Sequence, residues 1–376
     1  MGESLTENQT NTQMKRIGIL THPLIANYGG ILQNYALQTV FRKLGYEAIT
    51  LRTGKFVFVR WLYKYCKMLA VGVVYGKTKL PEFPLKIERK RVGLEDFIKR
   101  NIKTTKKIYW YYPNLVKEYS IDALCVGSDK IWASYFYDKI VDLFFDFAHS
   151  YDIPKFSYAP SFGSTNWHFS EKATRKVRLL TKDFTGLSVR EQSGQELCSK
   201  FLNRDAFWAI DPTFLLNADD YNELCKSQIR EEKTFLFAYI LDLSDEILHF
   251  IRMIAQRMEL EVRLVRAESE IQPSDTVEQW VANFRDAQFV ITDSFHGTAF
   301  SIIYRKNFYC ILNEDRGIDR FNSLISIVQR NDRFVSVLPD YETCDIAPFS
   351  WTEIENRLEQ WKLSSTDYII NSLKNI

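Results

Sequence analysis

The segment 292–297 (TDSFHG) combines residue types that suit acid–base chemistry beside an anion. It follows the apolar run 289–291 and precedes a helical pattern, so it is predicted to turn from a strand into a helix. An imidazole titrates near neutral pH, which suits His296 to general acid–base catalysis. Asp293 and Ser294 can cap the helix, whose free N–H groups favour a phosphate. The pattern leaves a catalytic and a structural His296 equally open.

Segment 27–33 (NYGGILQ) follows a predicted strand and opens a predicted helix. Gly29 and Gly30 let the backbone approach a ligand closely, and a helix N-terminus favours anions, so Asn27 and Gln33 are candidate cleft residues. A tight turn between a strand and a helix explains the same residues equally well. The segment lacks the spacing G-x-G-x-x-G, so a dinucleotide site has poor support.

Two further strand ends carry polar side chains. In the segment 126–132 (VGSDKIW), the Asp129 carboxylate could bind sugar hydroxyls and the Trp132 ring could cover a sugar face. A helix cap with a packing tryptophan is the alternative, and the pattern alone favours it. Arg190 ends another strand, where its guanidinium could clamp a phosphate or a carboxylate. The alternative there is a surface network with Glu191.

Short apolar strands alternate with helical patterns and would position these residues. A strand at 16–21, a helix ending before Gly45 and a strand at 46–51 are typical of an open parallel sheet. A second alternation starts after about residue 215, with its first strand at 235–241. We therefore expect two Rossmann-like α/β domains facing a cleft at the carboxyl ends of their strands, with a C-terminal helix crossing back to the first domain. The predicted divisions are a disordered lead-in at 1–14, an N-terminal domain at 15–215 with a helical insertion at about 56–105, a C-terminal domain at 216–350 and the final helix at 351–376.

The segment 56–74 mixes aromatic residues with Arg60, Lys64 and Lys67. A basic, aromatic helix can lie in a membrane interface, provided that its apolar residues form one face. Here the apolar residues wrap most of the way round, so composition favours an inserted helix that packs on its own domain. A peripheral membrane contact through 56–74 is the second interpretation.

The composition argues against nucleic-acid-binding, membrane-spanning, secreted and metal-binding classes of protein. The net charge of +2 over 376 residues gives no field strong enough to predict a nucleic-acid partner. No stretch of 18 apolar residues and no secretory leader are evident, and the 6 cysteines are scattered without a C-x-x-C pair. We expect a cytoplasmic protein in a reducing compartment. The histidines do not cluster with cysteines or carboxylates at zinc-site spacings, so we expect no metal.

Taken in order, these segments resemble the polysaccharide pyruvyl transferase family over about residues 15–335. No single motif decides the resemblance, but seven in the right order are specific together. The matching segments are 27–38 (NYGGILQNYALQ), 126–132 (VGSDKIW), 157–163 (SYAPSFG), 187–191 (LSVRE), 211–216 (DPTFLL), 292–297 (TDSFHG) and 319–324 (DRFNSL).

The resemblance implies a GT-B-like fold and transfer of a pyruvyl group from phosphoenolpyruvate to a sugar, forming a cyclic ketal in exopolysaccharide or capsular polysaccharide biosynthesis. Phosphoenolpyruvate would be a co-substrate, no cofactor would be needed, and the acceptor would be galactose or another hexose of a polysaccharide or lipid-linked repeat unit. His296 and Arg190 would be catalytic. The donor would contact Arg190, Asp293, Ser294, His296, Gly297 and Arg320. The acceptor or the cleft would involve Asn27, Gly29, Gly30, Gln33, Ser128, Asp129, Trp132 and Ser161.

One position departs from the family pattern. Relatives often have Arg-Leu-His where this chain has Ser294-Phe295-His296, so a cation that would hold the donor is missing. Either Arg320, Arg316 or a lysine replaces it, or the donor differs. A nucleotide-sugar glycosyltransferase of the same architecture and a non-catalytic glycan-assembly protein are therefore the alternative functions. The sequence does not indicate an oligomeric state or the acceptor linkage.

Overall fold

The structure is a computed structural model that describes residues 14–24, 27–54, 92–133, 139–230, 234–266, 276–313 and 318–376. The aromatic segment 56–74, most of the predicted insertion, the predicted lead-in up to residue 13 and Arg316 lie outside the described residues. In the described part, no helix is both long and apolar enough to cross a membrane.

The first domain is built on a parallel sheet of five strands in the order β2-β1-β3-β4-β5. Most residues of these strands are buried because both faces of the sheet are covered. Their bounds are β1 Arg16–Leu20, β2 Glu47–Thr50, β3 Ala123–Val126, β4 Lys155–Ser157 and β5 Phe184–Gly186, and β6 Ser188–Val189 pairs separately with β7 Phe207–Trp208.

The strand that the sequence predicts just before Arg190 is divided between two sheets, as β5 and β6. The hydroxyl of Ser157 donates to the carbonyl of Ser188 at 2.8 Å, and the hydroxyl of Ser188 donates to the carbonyl of Ser157 at 2.7 Å. These side chains take the place of backbone ladder bonds beside Leu187. The break releases β6 from the main sheet and directs the following residue, Arg190, towards the cleft.

Helices cover both faces of the first sheet. They are α1 Tyr28–Lys43, α2 Val92–Asn101, α3 Leu115–Glu118, α4 Glu171–Leu180 and α5 Gln192–Leu197. Helix α1 begins inside the segment expected to be a turn, and most of its residues are buried because it lies between the first sheet and the short helix Pro212–Leu215. It ends at the predicted position, where Gly45 has φ 86°.

The second domain has another parallel sheet of five strands, in the order β12-β11-β10-β8-β9. Its strands are β8 Phe235–Ile240, β9 Glu261–Arg266, β10 Phe289–Thr292, β11 Asn307–Ile311 and β12 Phe334–Val335. Its helices are α6 Ala218–Leu224, α7 Asp245–Arg257, α8 Val277–Asp286, α9 Phe295–Ile303 and α10 Asn322–Val328. Ser244 caps α7, since its hydroxyl accepts a bond from the amide of Ile247 at 3.1 Å.

The last helix, α11 Trp351–Ser372, crosses back to the first domain. The Trp361 indole donates to the carbonyl of Trp208 at 3.0 Å, and the Tyr368 hydroxyl donates to the carbonyl of Ser157 at 2.9 Å. The two parallel sheets and this helix confirm the predicted α/β class with two Rossmann-like domains. The predicted domain boundary near residue 215 falls between the two sheets.

Candidate active site

Arg190 follows β6 and lies at the centre of a buried ionic cluster. Its side chain is 1% exposed. Nη1 donates to Oδ2 of Asp211 at 3.1 Å, Nε donates to Oε1 of Glu191 at 3.3 Å, and Nη2 lies 3.7 Å from Oδ1 of Asp129. Three carboxylates thus surround one guanidinium, which shows that Arg190 is not part of a surface network with Glu191.

The charged groups in this cluster shift one another's pKa values. Burial alone would lower the pKa of Arg190, but Glu191, Asp211 and Asp129 raise it further than burial lowers it. Burial would raise the pKa of Asp129, but Arg190, His296 and His22 lower it to about 2. Asp129 therefore stays ionised at neutral pH, whereas burial raises the pKa of Glu191 against the opposing effect of Arg190.

His296 reaches the same cluster from the second domain. It lies in the first turn of α9, is buried, and places Nε2 at 3.8 Å from Oδ2 of Asp211. Burial lowers the pKa of His296, while Asp211 and Asp129 act in the opposite direction. Both His296 Nε2 and Arg190 Nη2 are buried without a hydrogen-bond partner among the described residues. Arg190 and His296 therefore converge from different domains, and each has a buried nitrogen that can still form a hydrogen bond.

Gly29 packs directly against the ring of His296. A Cβ atom built on Gly29 would lie 2.0 Å from Nδ1 of His296, far inside van der Waals contact. Tyr28 stacks on Trp280 of the second domain, with ring centroids 5.4 Å apart. The start of α1 is therefore inserted between the domains, and only a glycine leaves room there for the imidazole.

The turn before His296 is held by its own polar side chains. Ser294 caps α9, since its hydroxyl accepts a bond from the amide of Gly297 at 3.3 Å. The Asp293 carboxylate accepts bonds from the amides of Leu241 and Asp242 at 2.7 and 2.8 Å. These two residues fix the direction in which α9 presents His296. The contacts that the resemblance implies between these residues and phosphoenolpyruvate remain predictions.

Hydrogen bonds join the segment 27–33 to the strand end in the segment 126–132. Gln33 Oε1 accepts a bond from the amide of Ser128 at 3.0 Å, and Gln33 Nε2 donates to the hydroxyl of Thr21 at 2.9 Å. The amide of Ser161 donates to the carbonyl of Asp129 at 2.8 Å. Gln33, Ser128 and Ser161 are buried and support the loops that carry Asp129.

Trp132 lies in the core of the first domain, as the packing alternative that the pattern favoured predicts, and not at the cleft as the resemblance implied. Its side chain is completely buried. The ring stacks on Phe144 with centroids 4.5 Å apart, contacts Phe162 at 5.2 Å, and donates its N–H to the carbonyl of Leu143. Trp132 therefore presents no ring face to a sugar, because both faces of the ring are covered by side chains inside the first domain.

Arg320 adds a cation from the second domain. It lies in the short helix Ile318–Phe321 and is one of the charges that lower the pKa of His296. Burial and Arg320 lower the pKa of Lys130 to about 8. Nearby, the hydroxyl of Ser193 in α5 donates to Asp319, which links the domains beside the site. Arg190, Arg320 and Lys130 thus approach one region from both domains.

Asp211 is the residue that sequence reasoning missed as part of the site. It was recognised only within a family motif, although an Asp-Pro-Thr sequence directly after the apolar run 206–210 (AFWAI) signals a capped turn. Asn27 precedes α1 and is exposed, and Gly30 lies in the first turn of α1. In the described part of the chain, no group of three or more His, Cys, Asp and Glu side chains is arranged to hold a metal ion.

A model of the family described as polysaccharide pyruvyl transferase matches residues 27–315 of the chain. The match spans the glycine turn, Asp129, Arg190, Asp211 and His296. Comparison with curated proteins gives no significant match.

Solved structures give distant likenesses only. The UDP-N-acetylglucosamine 2-epimerase from Rickettsia bellii is 14% identical with a TM-score of 0.37, covering 95% of this chain and 98% of that one. The UDP-GlcNAc 2-epimerase from Methanocaldococcus jannaschii is 11% identical with a TM-score of 0.47, covering 96% and 99%.

Proposed function

The chain belongs to the polysaccharide pyruvyl transferase family, and we propose that it transfers the pyruvyl group of phosphoenolpyruvate to two hydroxyls of a sugar, with release of phosphate. The observation that carries this proposal is the convergence of Arg190 and His296 on Asp211. Oδ2 of Asp211 lies 3.1 Å from Nη1 of Arg190 and 3.8 Å from Nε2 of His296. One group can hold an anion and the other can deliver a proton, and the two come from different domains.

The charge of the donor matches the cations around this point. Phosphoenolpyruvate carries a phosphate and a carboxylate, so its site needs cations that approach from more than one direction. Arg190 supplies a fixed positive charge, and Arg320 and Lys130 supply two more. The depressed pKa of Lys130, about 8, comes from burial and from Arg320, and a bound dianion would relieve this repulsion. We propose that Lys130 and Arg320 supply the charge that Ser294 lacks.

We propose that His296 gains the proton for general acid catalysis only when phosphoenolpyruvate binds. In the unliganded protein, burial lowers the pKa of His296, which favours the neutral imidazole. A dianion bound beside Nε2 would favour the imidazolium. Donor binding would therefore load the proton that the reaction needs, and His296 would act as a general acid.

The proposed reaction balances as an addition followed by a substitution. Protonation of the methylene carbon of phosphoenolpyruvate by His296 makes C2 electrophilic. The first sugar hydroxyl forms a bond to C2, the bond from C2 to the phosphate oxygen breaks, and the second hydroxyl closes the ketal. Of the two protons lost by the hydroxyls, one restores His296 and the other leaves with phosphate.

The acceptor is proposed to be a hexose of a lipid-linked or polysaccharide repeat unit, which would bring the protein to the inner face of the membrane. The basic aromatic segment 56–74 is the proposed contact. Tyr109 and Trp110 are exposed next to the exposed Lys106 and Lys107. Residues 106–110 lie beside the stretch 51–54 that follows β2, because the amide of Gly54 donates to the carbonyl of Ile108. These exposed aromatic and basic side chains at the edge of the sheet that carries the site support the proposal.

The test is to incubate the protein with phosphoenolpyruvate and a series of hexosides, and to measure phosphate release and the mass of the product. His296→Gln keeps a polar atom near the position of Nε2 but cannot deliver a proton, so phosphate release should fall by about 10²-fold or more. His168→Gln, at an exposed histidine that bonds to Ser164, is the matched control and should retain activity.

Two results would contradict the proposal. One is retained turnover in folded His296→Gln, which would remove His296 from the reaction. The other is an absence of both phosphate release and calorimetric donor binding, together with tight binding of a nucleoside diphosphate, which would indicate a nucleotide-sugar glycosyltransferase instead.

A further inference from the structure

Asp211 is buried at the point where the two domains meet. Its side chain is 0% exposed. Oδ1 accepts bonds from the amide and the hydroxyl of Thr213, at 3.0 and 2.8 Å. Oδ2 accepts a bond from Arg190 and faces His296. One oxygen therefore fixes the carboxylate to its own turn, and the other faces a group from each domain.

We propose that Asp211 is a positioning residue that orients His296 and stabilises its protonated form while it holds Arg190 in place. Only the catalytic consequence rests on the proposed function, since the effect of Asp211 on the imidazole is a property of the unliganded protein.

The distance of 3.8 Å between Oδ2 and Nε2 decides how Asp211 acts. It is too long for a strong hydrogen bond, so the proton on Nε2 is not sequestered by the carboxylate. It is short enough for a buried negative charge to stabilise an imidazolium. Asp211 would thus favour protonation of His296 and still leave that proton available to a ligand.

The charges that face His296 are balanced in number. The carboxylates of Asp211 and Asp129 favour the imidazolium, and the guanidinium groups of Arg190 and Arg320 oppose it. Removal of Asp211 would leave one carboxylate against two cations. Asp211 therefore raises the pKa of His296 against the effects of burial and of the two cations.

The experiment compares the full-length wild-type protein with Asp211→Asn. The amide keeps the shape of the side chain, and Arg190 retains Asp129 and Glu191 as partners. In proteins with isotope-labelled histidine, an NMR titration should show the pKa of His296 lower by about one unit or more in the variant. In activity assays, the alkaline limb of kcat should move to lower pH by a similar amount, with about a tenfold loss of kcat above that limb for each unit.

Asp340→Asn is the matched control, because Asp340 also accepts bonds from a nearby amide and a threonine hydroxyl but is exposed and outside the site. It should leave the pKa of His296 and the pH profile unchanged. Asp211→Glu restores the negative charge, so its His296 pKa should lie between those of Asp211→Asn and the wild type. If Asp211 were only a structural counter-ion of Arg190, Asp211→Asn would change stability and leave the pH profile of kcat unchanged.

An unchanged pKa of His296 in folded Asp211→Asn would overturn the inference. If that variant does not fold, Thr213→Val provides the second test. It removes one of the two bonds to Oδ1 and keeps the charge, so kcat should fall while KM for the donor changes little, and an unchanged kcat would count against the inference. A wild-type protein without phosphate release would contradict the proposed function, but the imidazole titration would still decide the role of Asp211.

Discussion

At the scale of single residues, the site depends on side chains that satisfy one another across the domain interface. The Arg190 guanidinium lies 4.8 Å from the centroid of Phe295, which precedes His296 at the start of α9. Asp129 has φ 62°, a left-handed conformation that is uncommon for residues with a side chain and frequent at functional sites. Each group is held by neighbours from another part of the chain, so a single substitution should affect both domains.

Gly29 and Gly30 provide a sharp comparison at this scale. Gly29→Ala places a methyl group 2.0 Å from Nδ1 of His296, whereas the nearest atom to a Cβ on Gly30 is 3.5 Å away. We expect Gly29→Ala to destabilise the protein by roughly 1–3 kcal/mol through overpacking. Gly30→Ala, in the same turn of α1, should raise the free energy of unfolding by about 0.5–1 kcal/mol, since alanine favours a helix. Urea unfolding measures both, and equal effects would contradict the close approach of α1 to His296.

At the scale of elements, the site is supported from behind by α11. The Trp361 indole packs edge-to-face on Trp208 of β7 with centroids 4.6 Å apart. The Trp208 indole in turn donates to the carbonyl of Arg190 at 2.9 Å. The hydroxyl of Ser365 accepts a bond from the amide of Ile210, immediately before Asp211. The last helix therefore holds the two strand ends that carry Arg190 and Asp211.

Trp361→Ala tests this support. Because Trp361 is partly buried, we expect a loss of about 2 kcal/mol in the free energy of unfolding, below the range for a fully buried tryptophan. Catalytic activity should fall as well, since β7 would lose its contact with α11. Leu363→Ala is the matched control on the same helix, where the side chain is 59% exposed, and it should change stability by less than about 0.5 kcal/mol. Similar losses in the two variants would show that α11 does not act through Trp361.

At the scale of the whole molecule, the two domains are joined by an apolar core and not only by the ionic cluster. Tyr28 of the first domain lies among Tyr239 and Trp280 of the second. One continuous cluster of buried apolar side chains includes residues of both sheets. Salt bridges from Lys43 to Asp220 and from Arg100 to Glu278 add links at the rim. The active-site geometry therefore depends on how the domains pack, and not on either sheet alone.

The proposed membrane contact is a prediction for the whole molecule. The full-length protein should float with vesicles that contain anionic phosphatidylglycerol and float less with phosphatidylcholine alone, because basic residues are attracted to anionic lipid. Exchange of Arg60, Lys64 and Lys67 for glutamate should reduce flotation severalfold. The same exchange at Lys172, Lys176 and Lys182, outside the proposed contact, should have little effect. Equal flotation of all three proteins, or none in the wild type, would contradict the contact.

The sequence by itself determined the class of fold and the places where chemistry could occur. Apolar strands such as β1 and β10 are recognisable because both of their faces are buried, and capped helices such as α7 carry their signal in adjacent residues. The residues after strand ends were found for the same local reason. Arg190 and His296 were selected because the carboxyl ends of parallel strands face a cleft, and the order of the motifs supplied the family.

Only the tertiary structure decided which of those residues meet. Asp211 and His296 are 85 positions apart in the sequence, and no local pattern brings their side chains to 3.8 Å. Trp132 carried the composition of a sugar surface, but its partners, Phe144 and Phe162, lie in other segments and enclose it in the core. Gly29 matters because of a histidine from the other domain. Packing between distant segments sets burial, charge pairing and free space, and sequence spacing carries none of these directly.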